Sequence, residues 1–357
     1  IDLRGRIVIA CADGAEAYAV ARADWKPAPT DPASFARWVF ELPTPNEGFG
    51  EQIERHHLSM INELIRRRVA SLESIEPAVK RFGEPNEKPL CSILIPLYGR
   101  HEFMWNQLLA FADDKFIRDY GEIIYVIDDP RIRDQVLADA ADLHVLTKVP
   151  FTVVDGRTNR GYSGANNLGF AHSTADLVLL LNSDVIPIEA GWLQKMIRVM
   201  ARSRTIGIVG SRLLYWNGAV QHDGMAFEPY PAWNVHLNKH PGAGMPPGPH
   251  VIVNPPAVTG ACLLMKSDDY RALGGLDPYY LLGDLEDSDL CLIARCSGLE
   301  VAMVTDVELV HLERQSFAGI GMGQFRSRVV HFNARRHEQK WGDYIRANGL
   351  AVSTGTN

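Results

Sequence analysis

Residues 177–187 read Leu-Val-Leu-Leu-Leu-Asn-Ser-Asp-Val-Ile-Pro, an apolar run that stops at Asn182-Ser183-Asp184 and resumes with Val185 and Ile186. Alternating polarity would mark a strand with one wet face, whereas a run apolar on both faces marks a strand buried between layers of helices in a mainly parallel sheet. Its polar residues then fall at the strand's carboxyl end, where open α/β sheets bind ligands. A carboxylate at that edge suits a hard divalent cation, Mg²⁺ or Mn²⁺, because such ions take oxygen ligands and fill their remaining positions with substrate phosphates. Taken alone, Asn-Ser-Asp is more simply an Asx turn. The rest of the chain decides between the two.

The same texture recurs upstream. Ser92-Ile93-Leu94-Ile95-Pro96 is a buried strand closed by Leu97-Tyr98-Gly99-Arg100, and a helical pattern follows through Trp105, Leu108, Leu109 and Phe111. Residues 122–127 form another strand, ending at Asp128-Asp129-Pro130 before a helix over about 131–142. Residues 151–154 lead into Asn159-Arg160-Gly161-Tyr162-Ser163-Gly164-Ala165-Asn166-Asn167 and a helix reaching Ala171. Strands alternating with helices on short connections imply right-handed crossovers and a Rossmann-like, doubly wound α/β sheet. Tyr98, Asp128 and Asn166 are then expected to line one crevice with Asp184. The glycines of 159–164 form neither a Walker loop nor a dinucleotide fingerprint. Alone they indicate only a helix amino terminus with close packing.

Outside this core the sequence is less explicit. Residues 1–50 alternate short apolar pieces with Pro and Asp-Gly punctuation, and 51–72 carry Ile53, Leu58, Ile61, Leu64 and Ile65 at helical spacing. Residues 221–256 form an insertion rich in Pro, Gly, His and aromatics, expected as a loop or β-rich wall in which Trp233 or Tyr230 stacks on a sugar face. Its histidines, including His222, His236 and His240, do not have the spacing of a recognised zinc-ligand pair. A net charge of -7 and a pI near 6.0 provide no global field for nucleic acid. The five cysteines, Cys11, Cys91, Cys262, Cys291 and Cys296, read as small core residues in a reducing compartment. No apolar stretch approaches the roughly 20 residues that span a bilayer. The chain begins at Ile1 as if in mid-fold and reads as a piece of a longer polypeptide.

The order of Ser92–Arg100, Ile124–Asp129, Asn159–Asn167 and Leu179–Asp184 resembles the nucleotide-binding half of family 2 glycosyltransferases, which have the GT-A fold. Val258-Thr259-Gly260-Ala261-Cys262-Leu263-Leu264-Met265, then Leu273-Gly274-Gly275-Leu276-Asp277-Pro278, Gly283-Asp284-Leu285-Glu286-Asp287-Ser288-Asp289 and Val310-His311 resemble the acceptor half. The resemblance spans about residues 90–317. It implies an amino-terminal extension over 1–87, a GT-A domain over 88–320 with halves 88–187 and 188–320, and a carboxy-terminal helical segment over 321–357. Gln221-His222-Asp223-Gly224 is similar to a segment of rhamnosyltransferase-like members.

The resemblance also implies roles. The donor would be a nucleoside-diphosphate sugar, held with a divalent cation, Mn²⁺ or Mg²⁺, on Asp184 and His311. Asn182 stands where the family usually has the first Asp of Asp-x-Asp, which removes one negative charge and leaves a side chain suited to a ribose or a metal-bound water. The nucleotide is expected on Pro96, Tyr98, Asp128, Asn159, Arg160 and Gly161, with Arg160 stacking on or hydrogen-bonding to the base. Asn166, Asn182 and Ser183 complete that surface, and Arg314 and Ser316 stand where a mobile segment can close on the diphosphate. Asp287 is the expected general base of an inverting transfer and Glu286 orients the acceptor or its loop, while Asp289 caps or solvates a helix beginning near Leu290. The acceptor would be a glycan, lipid-linked or protein hydroxyl in bacterial polysaccharide or glycoconjugate synthesis. The enzyme would be cytoplasmic, including the inner face of the membrane, where peripheral contact is open to it. Two alternatives stay open at the level of sequence: a sugar-nucleotide nucleotidyltransferase, which lacks its Gly-rich signature here, and a non-catalytic glycan-binding scaffold of the same fold.

Overall fold

The computed structural model describes residues 51–312 and 323–352. The short strands expected within 1–50, together with Cys11, Arg314 and Ser316, lie outside the described residues. The described chain opens with helix α1 (Glu51–Glu73) and strands β1 (Ala78–Phe82) and β2 (Cys91–Leu97). Helices α2 (Phe103–Asp113) and α3 (Lys115–Tyr120) lead to β3 (Gly121–Ile127), and a 3-10 turn at Pro130–Ile132 opens α4 (Arg133–Thr147). Next come β4 (Phe151–Asp155), α5 (Gly161–Ala171) and β5 (Leu177–Leu181). Beyond the break at residues 182–184 lie β6 (Val185–Pro187), α6 (Trp192–Met200), β7 (Ile206–Leu214), β8 (Val220–His222), β9 (Ala226–Tyr230) and β10 (Val235–Lys239). Finally β11 (Ile252–Val253), β12 (Cys262–Lys266), α7 (Ser267–Ala272), α8 (Glu286–Cys296), β13 (Glu300–His311) and α9 (Gly323–Ala347) complete it.

The strands join in the order β1-β4-β3-β2-β5-β12-β7-β13-β11, with β6 beside β13 and β8 beside β7, while β9 and β10 form a separate hairpin. From β4 to β5 every pairing is parallel, as the alternation of strands and helices predicts. The mixture enters at β12, which runs antiparallel to both β5 and β7. Strand β1 lies within the 1–87 segment yet pairs antiparallel with β4, so the sheet reaches further toward the amino terminus than the expected extension suggests.

Side chains on a strand alternate between faces, and the buried runs feed two cores accordingly. Ile93, Ile95 and Leu97 pack with Met104, Leu108, Val136 and Leu193 on one face. Leu94, Val178 and Leu180 pack with Ala165, Leu290, Trp341 and Ile345 on the other. Each fully buried Leu or Ile contributes about 1.5–3 kcal/mol of transfer free energy, which is why these strands tolerate no polar face. Helix α3 starts where Asp114 Oδ1 accepts the N–H groups of Phe116 at 2.8 Å and Ile117 at 3.3 Å. Two faces of helices over one sheet leave the strand ends as the place where polar groups can gather.

Candidate active site

One cavity of 620 Å³ opens at those strand ends. Its nucleotide side is lined by Pro96 and Tyr98 from the end of β2, Asp128 from the end of β3, and Asn159 and Gly161 ahead of and opening α5. Asp128 Oδ1 accepts the backbone N–H of Arg160 at 2.5 Å. Burial pushes its carboxyl well above the usual carboxylate range, against the opposing pull of the Arg160 and Gly161 N–H groups. Asp129, expected as a strand terminator, accepts Arg131 N–H at 3.0 Å and so caps the 3-10 turn.

Two nucleotide-half residues sit differently from their expected places. The Arg160 guanidinium donates to Leu72 O at 2.9 Å and Ile75 O at 2.8 Å, and Arg160 is not among the cavity residues. Leu72 O is one of the carbonyls that the end of α1 leaves without a helical partner, so this cation serves the helix end rather than a base. Asn166 is fully buried, donates to Tyr162 O at 3.0 Å, and does not line the cavity. Its neighbour Asn167 instead ties the halves together, donating to Leu276 O at 2.7 Å and accepting the Tyr270 hydroxyl at 2.7 Å.

The break between β5 and β6 is a built turn. Val185 N–H donates to Asn182 O at 3.1 Å, and buried Gln107 donates to Asn182 O at 2.8 Å and Val185 O at 2.9 Å. Because β6 pairs with β13 so that Val185 faces His311, Asp184 arrives beside that histidine, Oδ1 to Nε2 3.3 Å. Asn182, Ser183, Asp184 and His311 all line the cavity, and Asn182 Oδ1 is buried without a partner. The donor set fits a hard cation. Cis ligands of an octahedral ion with bonds of about 2.1 Å lie about 3.0 Å apart, close to the observed separation. Among the described residues no group of three or more His, Cys, Asp or Glu side chains gathers.

Facing residues come from the start of α8. The preceding loop is strained, with positive φ at Leu282 (63°), Asp284 (78°) and Leu285 (79°). Fully buried Asn333 of α9 holds it, accepting Leu281 N–H at 3.0 Å and donating to Leu281 O at 3.0 Å, Gly283 O at 2.9 Å and Asp284 O at 3.2 Å. Glu286 and Asp287 follow and line the cavity. Burial, with Asp287 next to it, holds the Glu286 carboxyl well above the usual range, and its Oε2 has no partner. Asp287 Oδ2 accepts Gly260 N–H at 2.9 Å and Oδ1 accepts Ser288 N–H at 2.7 Å. Tyr162 O–H donates to Gly260 O at 2.7 Å, and an added Cβ at Gly260 would stand 2.9 Å from that hydroxyl. The next peptide carries the connection onward: Asn182 N–H donates to Ala261 O at 3.0 Å. Asp287 and the Asn182–Asp184 turn are thus joined through one stretch of backbone.

The helix begins at Glu286, four residues before the expected start, and Asp289 neither caps nor solvates it. At 1% exposure it accepts Tyr280 O–H at 3.0 Å, Trp341 N–H at 2.6 Å and Lys340 Nζ–H at 2.9 Å. Its partners come from the preceding loop and α9, so it anchors α9 beneath the site. The insertion over 221–256 does include a β wall, and Leu237, Asn238 and His240 line the cavity. Trp233 instead stacks on His331 at 4.7 Å and Tyr230 meets Trp233 edge-on at 4.9 Å, with neither among the cavity residues. Gln107 and Asn333 are site-building residues that the sequence does not mark, and Gln221, noted there only for its resemblance, is a third.

A doubly wound sheet whose polar strand ends gather at one cavity is the architecture of the GT-A fold. The model of glycosyl transferase family 2 matches residues 92–225. Among curated relatives, the protein "Uncharacterized protein y4gI" of Sinorhizobium fredii is 34% identical over 240 residues, covering 64% of this chain and 25% of that protein. The O-antigen biosynthesis protein RfbC of Myxococcus xanthus is 27% identical over 171 residues, covering 43% of this chain and 12% of that protein. This chain therefore spans a quarter or less of each relative's length. The solved structure of GalNAc-T7 with UDP, GalNAc and Mn²⁺ shares the fold at a TM-score of 0.51 and 13% identity, covering 74% of this chain and 55% of that one.

Proposed function

We propose that this chain transfers a glycosyl group, with inversion, from a nucleoside-diphosphate sugar to a hydroxyl of a glycan, lipid-linked or protein acceptor. The observation that carries the reading is that Asp184, His311 and Asp287 line one cavity, with Asp287 and the Asp184 turn joined through Gly260 and Ala261. A role in bacterial polysaccharide synthesis is supported by the likeness to RfbC, named for O-antigen biosynthesis.

Asp128, Tyr98 and Asn159 bind the nucleotide, while Asp184 and His311 would hold the cation. When bound, that ion supplies Lewis-acid stabilisation of charge on the departing diphosphate. Asp287 takes the proton of the acceptor hydroxyl as the acceptor oxygen bonds to the anomeric carbon, and the bond from that carbon to the diphosphate oxygen breaks with its electron pair leaving on the diphosphate. Each Asp287 oxygen accepts one backbone N–H, which orients the carboxylate and leaves it lone pairs for the acceptor. Burial, with Asp287 beside it, raises the Glu286 carboxyl, which favours the form that can donate a hydrogen bond to the acceptor.

The test is a panel of nucleotide sugars with and without Mn²⁺, with the product anomer read by ¹H NMR. Mn²⁺-dependent turnover with inverted configuration is expected. Retained configuration would end the single-displacement reading, pyrophosphate release from a nucleoside triphosphate would indicate a nucleotidyltransferase, and no turnover of any nucleotide sugar would indicate a scaffold.

A further inference from the structure

The segment Gln221-His222-Asp223-Gly224 has no part in the reaction as written, yet it is built around His311. Asp223 accepts both Nε–H (3.1 Å) and Nη2–H (3.0 Å) of buried Arg212, which also donates to Glu308 Oε1 at 3.0 Å, three residues ahead of His311. Gly224 has φ +94°, and an added Cβ would stand 2.8 Å from Pro255. His222 Nε2 accepts Thr259 N–H at 3.3 Å. Gln221, only 8% exposed, meets His311 twice: its Oε1 lies 2.5 Å from Nδ1 and its Nε2 lies 3.4 Å from the backbone carbonyl.

That double contact has a chemical consequence. Turning the Gln221 amide over would set its oxygen against the His311 carbonyl oxygen, so the NH₂ belongs on the carbonyl side and Oε1 faces the ring. An acceptor 2.5 Å from Nδ1 requires the hydrogen on Nδ1. In a neutral imidazole the other nitrogen then keeps its lone pair. In the neutral ring that lone pair lies 3.3 Å from Asp184 Oδ1, so the two acceptors face each other across a gap that a cation can fill. The opposite tautomer would donate Nε2–H to Asp184 and close the site on itself as an ordinary hydrogen bond.

We propose that Gln221 is a positioning residue that holds His311 in the Nδ1–H tautomer, so that Nε2 is presented as a ligand to the divalent cation. The inference rests on the assignment of Asp184 and His311 to that ion. Groups that orient a ligating histidine in this way are typically worth about 10–100-fold in metal affinity. In Gln221→Leu the acceptor is removed and His311 is free to donate to Asp184. Gln221→Glu keeps an acceptor at Nδ1.

The experiment measures Mn²⁺ affinity by the loss of the free-ion electron paramagnetic resonance signal, and the His311 tautomer by ¹⁵N chemical shifts in the metal-free protein. Gln221→Leu is expected to weaken Mn²⁺ binding about 10–100-fold and to abolish the pure Nδ1–H signature, while Gln221→Glu stays within about threefold of the parent. A purely structural role predicts the reverse order, because burying a carboxylate costs more than burying a leucine. Gln221→Leu binding like the parent, or Gln221→Glu binding as weakly as Gln221→Leu, would overturn the inference. If Gln221→Leu does not fold, Gln221→Met carries the same expectation. Asp184→Asn and His311→Ala run alongside: if those two keep full Mn²⁺ affinity, it is the placement of the cation that fails, and if they lose it while Gln221→Leu does not, it is the role of Gln221.

Discussion

In the nucleotide half, β4, β3, β2 and β5 run parallel, and each delivers its polar residues to the cavity at the strand's end or a few residues past it. In the acceptor half, β12 runs against both its neighbours, and Glu286 and Asp287 arrive from a strained loop held by α9. The first arrangement positions residues through the sheet itself. The second positions them through single buried side chains, each of which is a point of failure.

Replacing Asp287 should therefore separate the halves most sharply. Asp287→Asn is expected to lower transfer by about 10²–10⁴, while a nucleoside diphosphate still raises the melting temperature as it does in the parent. A lost thermal shift would show that the two halves are not independent. Asn333→Ala comes next: four hydrogen bonds to a loop of positive φ disappear, costing about 2–3 kcal/mol and, through misplacement of Asp287, up to about 100-fold in transfer. Thermal denaturation and acceptor kinetics read the two effects separately.

A smaller effect concerns pH. His337 lies under the acceptor half against Ser288, Phe227 and Tyr280, with His236, Glu338 and Lys340 as its titratable and charged neighbours. Burial, with Lys340 and His236 adding to it against Glu338, pushes its imidazole down to about 3. The unfolded chain takes up that proton below about pH 6.5 and the native state does not, so this contribution to stability is lost as pH falls from about 6.5 toward 3, by up to about 1.4 kcal/mol per pH unit. His337→Gln should flatten that acid limb in denaturant titrations; an unchanged slope would remove His337 from the account. The smallest change is expected in the nucleotide half. Arg160→Lys loses the two-carbonyl grip on Leu72 and Ile75, costing about 1 kcal/mol, and donor affinity should change less than threefold. A large loss of donor affinity would return Arg160 to the nucleotide.

The comparison also explains what could be read in advance. Runs apolar on both faces announce β2, β3 and β5, and their polar terminators are adjacent in sequence, so Tyr98, Asp128 and Asp184 needed no long-range information. Asn333 lies 50 residues from Gly283, and Gln221 lies 90 from His311. No local pattern marks Asn333, and the segment Gln221–Gly224 stands out by resemblance with nothing local to tie it to His311. Asp289 was misread for the same reason: an acid near a helix start is locally a cap, and only the approach of Trp341 and Lys340 from α9 makes it a buried anchor. The resemblance implies a base contact for Arg160, but the carbonyls of Leu72 and Ile75, at and just past the end of α1, take its guanidinium instead.

Asp287 hangs on the amide of Gly260, and the Asn182–Asp184 turn hangs on the carbonyl of Ala261. On the roles proposed for them, the gap between proton acceptor and departing diphosphate is gauged by a single dipeptide, like the jaw of a fixed caliper. The hairpin of β9 and β10 leans on the same loop, Val235 packing with Tyr280 and Leu285 just ahead of Glu286, so on the proposed roles a refitted acceptor wall there is felt at Asp287.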